Sequence, residues 1–173
     1  MKKIKKKGLY DPNYEKDSCG IGFVANIYDI SSRSIIDNAL QILCNITHRG
    51  AVSADPRAGD GVGILTQIPH EFFQKELLKN NVTLPRPDDY AVGMFFMPQN
   101  PDENEYCLKV VIKHLEKFGL EILHIRNVPV DAKVLGHSIK GNEPYIVQIF
   151  IKQRVNTKTI NEFESKLFLA RRY

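Results

Sequence analysis

Residues 17–27 have the sequence DSCGIGFVANI, in which a cysteine separates a polar stretch from an apolar run. The chain before Cys19 is charged, whereas residues 20–28 are rich in β-branched and aromatic side chains and begin with glycines. Such a run predicts a buried strand. Cys19 therefore lies at the junction between a leader, residues 1–18, and a folded domain, residues 19–173.

This junction gives Cys19 a specific chemical possibility. Removal of residues 1–18 would leave Cys19 with a free α-amino group beside its thiol. A free thiol has a pKa of about 8.5 and an α-amino group one of about 7.7–8.0, so the amine can accept the thiol proton near neutral pH. One residue would then supply nucleophile and base. The alternative is an ordinary buried cysteine at the start of a strand.

Composition narrows the class of protein. The chain has 173 residues, 43% hydrophobic and 25% charged, which predicts one soluble globular domain. Residues 1–7 contain five lysines and no acid, whereas the whole chain has a net charge of +4. The remaining residues therefore have a net charge of −1, which does not predict a basic surface for nucleic acid. No apolar run approaches the roughly 20 residues of a membrane helix, and no secretory signal follows the lysines. The expected compartment is the cytoplasm.

The pattern of cysteines and histidines predicts no metal site. Cys19, Cys44 and Cys107 are far apart, without a Cys-x-x-Cys pair, and their odd number argues against a disulfide framework. Cys44 is expected on the buried face of a helix. The histidines show no ligand spacing.

Hydrophobic periodicity predicts a mixture of helices and strands. Helices are expected from Ser31 or Ser32 to Ile46, from Pro69 through a stretch that buries Phe72, Phe73, Leu77 and Leu78, over 101–118 and over 159–173. Strands are expected over 20–28, 61–68, 90–97, 120–128 and 145–153. Because strands and helices do not alternate strictly, the pattern favours a layered α+β domain over a doubly wound parallel sheet.

Two further stretches carry candidate site residues. Residues 48–51, HRGA, place Arg49 beside Gly50 after the predicted long helix. The planar guanidinium suits a carboxylate or an amide carbonyl, although a surface arginine at a helix end is the alternative. His48 is expected to be a helix-end histidine.

Residues 59–63, GDGVG, have three alternating glycines that permit close backbone approach, but not the spacing of a dinucleotide or phosphate loop. Asp55 and Asp60 are either a carboxylate pair or solvated loop acids.

The order of these stretches resembles the start of glutamate synthase large subunits over essentially the whole chain. The motifs that carry the resemblance are GLYDP at 8–12, DSCGIG at 17–22, HRGA at 48–51, AD at 54–55, GDGVGIL at 59–65, IPHEFF at 68–73, RNVPVD at 126–131, VLG at 134–136, QIFI at 148–151 and FESKL at 163–167. The resemblance implies the N-terminal part of a class II glutamine amidotransferase domain of the N-terminal-nucleophile hydrolase type, a four-layer αββα sandwich of two antiparallel sheets.

The resemblance also implies roles for individual residues. A propeptide would be cleaved between Ser18 and Cys19, and Cys19 would attack the side-chain amide of glutamine. Arg49 and Gly50 would line the glutamine site. The released ammonia would pass to a synthase domain of the same full-length chain, which converts 2-oxoglutarate to glutamate. FMN, an iron–sulfur cluster and NAD(P)H or ferredoxin are implied for the full-length protein but no cofactor for this segment, and the resemblance allows a small electron-transfer subunit as a partner.

One departure from the family leaves alternatives open. The His-Asn-Gly-Glu stretch that builds the family's oxyanion hole, and the Arg-Phe-Ser-Thr segment before it, are absent, and Gly141-Asn142 has the reverse order. Loss of an oxyanion donor costs about 10²–10³ in rate. The chain is therefore expected to be a truncated piece of the domain, inactive and poorly folded by itself. The alternatives are a degenerate, non-catalytic module that binds glutamine or a partner, and a class II amidotransferase of another pathway.

Overall fold

The computed structural model describes residues 20–59, 61–154 and 159–173. They form two compact units: unit 1 contains the described residues up to Thr66 together with Leu135–Ser138, and unit 2 contains Gln67–Val134 and Ile139–Tyr173. Unit 1 holds helix α1 (Arg33–Asn45) and a 3₁₀ turn (Thr47–Arg49). The elements of unit 2 are α2 (His70–Leu78), β1 (Tyr90–Met97), α3 (Pro101–Lys117), β2 (Leu120–Asn127), a 3₁₀ turn (Ala132–Val134), β3 (Tyr145–Gln153) and α4 (Ile160–Arg172).

The sheet of unit 2 has three antiparallel strands in the order β1-β3-β2. β3 is central and pairs with β1 along its whole length, from Tyr90 opposite Lys152 to Met97 opposite Tyr145. The pairing of β2 with β3 shifts register between Ile122 and His124. Since β1 and β2 flank the same antiparallel neighbour, they run parallel, and α3 connects them.

Apolar side chains bury both faces of this sheet. On one face Ile149 of β3 packs with Leu115 of α3 and Phe163 of α4. On the other face Phe150 packs with Phe73 and Leu77 of α2, and the Phe73 and Phe150 rings meet edge to face at 5.0 Å. Alternating residues of a strand point to opposite faces, so adjacent residues of β3 serve two cores. The predicted mixed α+β class is confirmed at this level.

Local capping explains why several predicted bounds are confirmed. The Asn100 side chain accepts hydrogen bonds from the amides of Asp102 and Glu103, and Pro101 begins α3. Gly119, with φ +73°, follows the end of that helix. β1 and β3 have the predicted bounds, and β2, α3 and α4 differ from theirs by one residue at one or both ends.

The predicted strands over 20–28 and 61–68 are wrong. Neither segment forms a strand, and the side chains of Ile21, Phe23 and Leu65 are 94–100% exposed. An apolar run becomes a strand only where a neighbouring strand accepts its backbone hydrogen bonds. Among the described residues neither segment has such a neighbour.

Two burial predictions are also wrong. Cys44 is exposed, because the apolar stripe of α1 is at most half-buried in unit 1. In α2 only Phe73 and Leu77 are buried, whereas Phe72 and Leu78 are about half exposed. Residues four apart share one helix face, so a short helix that contacts the sheet along one line buries that pair alone.

Candidate functional site

Arg49 ends the 3₁₀ turn that follows α1. Its amide donates to the carbonyl oxygen of Ile46 at 2.8 Å, and Thr47 Oγ1 donates to the carbonyl of Cys44 at 2.7 Å. Nδ1 of His48 lies 3.2 Å from the carbonyl oxygen of Asn45, as expected for a helix-end histidine. The Arg49 side chain is exposed, and its guanidinium has no hydrogen bond or ion pair to another described residue. Its planar set of donors remains available for a ligand.

The chain that follows Cys19 runs along the same helix end. A Cβ on Gly20 would lie 3.0 Å from Ile46 Cδ1 and 3.3 Å from Arg49 Cβ, and one on Gly22 would overlap Ile42. A larger residue at either position would require these side chains to shift, so the two glycines permit the close approach of the backbone. This contact brings Gly20 beside Arg49. Ser18 and Cys19 lie outside the described residues.

Gly50 has open space beside it. Its backbone is extended, with φ −96° and ψ 149°, which any residue can adopt. A Cβ there would meet only the carbonyl oxygen of Thr47, at 3.6 Å. Neither the backbone nor the packing requires glycine at this position, so the structure leaves room next to Arg49.

A tight turn follows Gly50 and ends at Gly59. Val52 and Gly59 form an isolated antiparallel bridge, and the Ser53 amide donates to the carbonyl of Ala58 at 2.8 Å. A Cβ on Gly59 would lie 2.6 Å from the carbonyl oxygen of Ala51, so the predicted close backbone approach is confirmed here. A Cβ on Gly61 or Gly63, the other two glycines of that stretch, would point into open space.

Asp55, inside this turn, holds two distant parts of unit 1 together. Its Oδ1 accepts from the Arg57 amide at 3.0 Å, and its Oδ2 accepts from the Ser138 amide and the Ser138 hydroxyl at 3.1 Å each. The amides of Arg57 and Ser138 lower the pKa of the Asp55 carboxyl below its ordinary value. The hydrogen bonds of the Asp55 carboxylate with Arg57 and Ser138 are here called the clasp. The sequence analysis, which considered a solvated loop acid or a carboxylate pair, did not predict them. Asp60, its predicted pair, lies outside the described residues.

The lowered pKa of Asp55 predicts that the clasp is sensitive to acid. A carboxyl whose folded-state pKa is depressed stabilises the fold above its unfolded-state pKa and loses that contribution as pH falls through the folded value. We therefore expect the difference in thermal unfolding midpoint between the wild type and an Asp55→Asn variant to stay constant above about pH 5 and to shrink below about pH 4. A difference that does not shrink at all as the pH falls below the unfolded-state pKa of aspartate, about 3.9, would contradict the assignment.

A second polar cluster, in unit 2, is internally satisfied. Arg126 Nη1 donates to Gln148 Oε1 at 2.7 Å, while Nη2 lies 3.8 Å from Glu76 and the guanidinium lies over the Phe72 ring. Gln148 is 7% exposed, so this hydrogen bond satisfies a buried amide on the α2 face of the sheet. We assign the cluster a structural role. No sequence signal identified it, because its members come from three separate elements.

The part of the chain that the structure describes contains neither a convergent group of metal-binding side chains nor a helix that could span a membrane. No three or more His, Cys, Asp or Glu side chains converge there as an ion site would require, so these residues do not fit an iron–sulfur cluster. None of the described helices has the length and hydropathy needed to cross a bilayer.

Comparison with known proteins identifies a family for almost the whole chain. The family model for class II glutamine amidotransferases matches residues 19–173. The match begins at Cys19 and includes Arg49, Gly50 and the Asp55 turn.

The chain is also similar to long enzymes from distant organisms. It is 40% identical over 169 residues to glutamate synthase [NADH] of Schizosaccharomyces pombe, covering 98% of this chain and 8% of that protein. It is 38% identical over 168 residues to the glutamate synthase [NADPH] large chain of Bacillus subtilis, covering 97% and 11%. It is 38% identical over 159 residues to a ferredoxin-dependent glutamate synthase of Pyropia yezoensis, covering 91% and 10%. The chain thus spans about a tenth of the length of these relatives.

Proposed function

This chain belongs to the class II glutamine amidotransferases, and from that premise we propose that it carries the glutaminase half-reaction of a glutamate synthase, with Cys19 as the nucleophile. Three features support the proposal: the family match that begins at Cys19, the contact of Gly20 with Arg49, and the unpaired guanidinium of Arg49 among the described residues. The contact between Gly20 and Arg49 is the main support for the proposal. It places the residue that follows the nucleophile beside a cation that suits the carboxylate of an amino-acid substrate.

The chemistry begins after cleavage between Ser18 and Cys19. The Cys19 amine accepts the thiol proton, and the thiolate attacks the side-chain amide carbon of glutamine. A carbon–sulfur bond forms, the carbon–nitrogen bond breaks, and the amine gives the proton to the departing nitrogen, which leaves as ammonia. Water then adds to the thioester, releasing glutamate and restoring the thiol. No redox step is needed.

Arg49 and Gly50 bind the substrate in this proposal. The guanidinium pairs with the α-carboxylate of glutamine through two parallel hydrogen bonds. Gly50 supports this role because its Cβ position is open and neither strain nor packing requires glycine there. The substrate can therefore approach the backbone at Gly50 closely.

The remainder of the activity is proposed for a longer protein. The relatives are named as NADH-, NADPH- and ferredoxin-dependent glutamate synthases. We propose that ammonia passes to a synthase domain, which adds it to 2-oxoglutarate with electrons delivered through FMN and an iron–sulfur cluster held elsewhere, with or without a small electron-transfer subunit. A cytoplasmic location and a four-layer αββα domain complete the proposal, and the further layers would cover the apolar side chains that unit 1 exposes.

The N-terminus of the working enzyme tests the mechanism. N-terminal sequencing and intact-mass measurement of the full-length enzyme should find Cys19 as the first residue, because only then does the thiol have its amine. A Ser18→Pro variant that blocks cleavage should lose glutamine-dependent synthesis and keep ammonia-dependent synthesis. Full glutamine-dependent activity with residues 1–18 still attached would refute the mechanism.

A further inference from the structure

Four residues of unit 1 come from a distant part of the chain. Leu135–Ser138 belongs to unit 1, whereas the residues on both sides of it belong to unit 2. This segment, here called the strap, contacts the rest of unit 1 at Asp55. The Asp55 carboxylate accepts the Ser138 amide and hydroxyl, 83 residues away in sequence, at 3.1 Å each.

The strap is shaped around the carboxylate. A Cβ on Gly136 would overlap the Asp55 carboxyl group, so a larger residue there would displace the strap or the acid. Two residues later, Ser138 supplies two donors to one oxygen. His137 lies between them in the sequence. Glycine for close approach and serine for donors together make a specific seat for an anionic side chain.

The other carboxylate oxygen holds the turn that begins at Gly50. Oδ1 of Asp55 accepts a hydrogen bond from the Arg57 amide. The backbone carbonyl of Asp55 accepts one from the Ala58 amide at 2.9 Å, and the Asp55 amide donates to Ser53 Oγ at 3.1 Å. At the end of the turn Gly59 packs directly on the Ala51 carbonyl. A displacement of the turn would therefore move Ala51 and, with it, Gly50.

We propose that Asp55 is a positioning residue for the glutamine site, which fixes Gly50, and through it the adjacent Arg49, by binding the turn that follows Gly50 to the Gly136–Ser138 part of the strap. This inference rests on the proposed glutaminase function. A carboxylate is required because both of its oxygens accept from N–H groups, whereas an asparagine would present an NH₂ donor to one of them. The resulting repulsion would release one side of the clasp.

The decisive variant is Asp55→Asn in the full-length glutamate synthase that contains this chain. We expect its KM for glutamine to rise by about ten- to a hundredfold, the cost of a misplaced binding group, with a much smaller change in kcat. Ammonia-dependent synthesis should be unchanged. Asp37→Asn is the matched control, since Asp37 is an exposed acid of the same unit whose ion pair among the described residues is a local one, with Arg33 at 2.9 Å. Its KM should equal that of the wild type.

Ser138 gives a second measurement that remains informative if Asp55→Asn fails to fold. Ser138→Ala removes the hydroxyl donor and leaves the backbone bond, so KM should rise by about two- to tenfold, and Ser138→Thr should restore it. The Asp55→Asn, Ser138→Ala double variant should be no worse than Asp55→Asn alone, because both remove the same contact. Additive losses, or a normal KM in Asp55→Asn, would overturn the positioning role.

Failure of this inference can be distinguished from failure of the proposed function. If Cys19→Ser retains glutamine-dependent turnover, the glutaminase assignment fails whatever Asp55 does. If Cys19→Ser is inactive with glutamine while Asp55→Asn has the KM of the wild type, only the positioning role fails. Equal loss of the glutamine-dependent and ammonia-dependent activities in Asp55→Asn would also overturn it, because that result indicates a general structural defect.

Discussion

Cys19→Ser in the full-length enzyme is expected to reduce glutamine-dependent glutamate synthesis by at least about a thousandfold, as for other removed nucleophiles. The substitution changes one atom and keeps the size of the side chain. A serine hydroxyl is far less acidic than a thiol, so an amine with a pKa of about 7.7–8.0 removes its proton far less readily. Ammonia-dependent synthesis should continue at the wild-type rate, because free ammonia bypasses the amide hydrolysis.

The other two cysteines provide the controls for this prediction. Cys44 is exposed on α1 and Cys107 is half-buried against the core of unit 2. Cys44→Ser and Cys107→Ser should both keep glutamine-dependent activity. A glutamine analogue that alkylates thiols should modify one cysteine in the wild type and none in Cys19→Ser. Loss of activity in Cys44→Ser, or modification of a cysteine other than Cys19, would contradict the assignment.

The elements that were predicted correctly carry their signals locally. Residues 146–151 of β3 are apolar except for Gln148. Asn100, Pro101 and Gly119 provide the start and stop of α3 within a few residues of its ends. Such signals act over a few neighbouring residues, so they can be interpreted without knowledge of the tertiary contacts.

The predictions that failed depended on partners. Residues 20–28 have the composition of a strand, but a strand requires a second strand, and the described residues supply none to that segment. Cys44 lies on an apolar helix stripe, yet burial requires a surface that packs against the stripe. The composition of a segment indicates which of its side chains can be buried, but it does not indicate which other segment packs against them.

The candidate site shows the same division. The guanidinium of Arg49 suits a carboxylate, but the sequence around it also fits a surface arginine at a helix end, and only the resemblance to glutamate synthases assigned Arg49 and Gly50 to the glutamine site. The approach of Gly20 to Arg49, and the hydrogen bonds between Asp55 and Ser138, join residues far apart in sequence. One sequence contains no signal for such pairs, because glycine, serine and aspartate are also common in solvated loops.

Arg49→Ala is expected to lower kcat/KM for glutamine by about 10²–10³, because it removes a charge-assisted, bidentate contact with the substrate. Most of the loss should appear in KM, since the proposed contact is made to the α-carboxylate, which does not react. Ammonia-dependent synthesis should be unaffected. Arg49→Lys should recover only part of the loss, because an ammonium keeps the charge but not the planar pair of donors.

The structure provides a matched arginine for this test. Arg33, at the other end of α1, is exposed like Arg49 but pairs with Asp37 at 2.9 Å. Arg33→Ala should leave kcat/KM for glutamine unchanged, because exposed pairs of this kind contribute little. The melting temperature of Arg49→Ala should also match the wild type, since the Arg49 guanidinium makes no hydrogen bond or ion pair with a described residue whose loss would destabilise unit 1. A large drop in melting temperature, or equal effects of Arg33→Ala and Arg49→Ala on KM, would show that Arg49 supports the fold and does not bind glutamine.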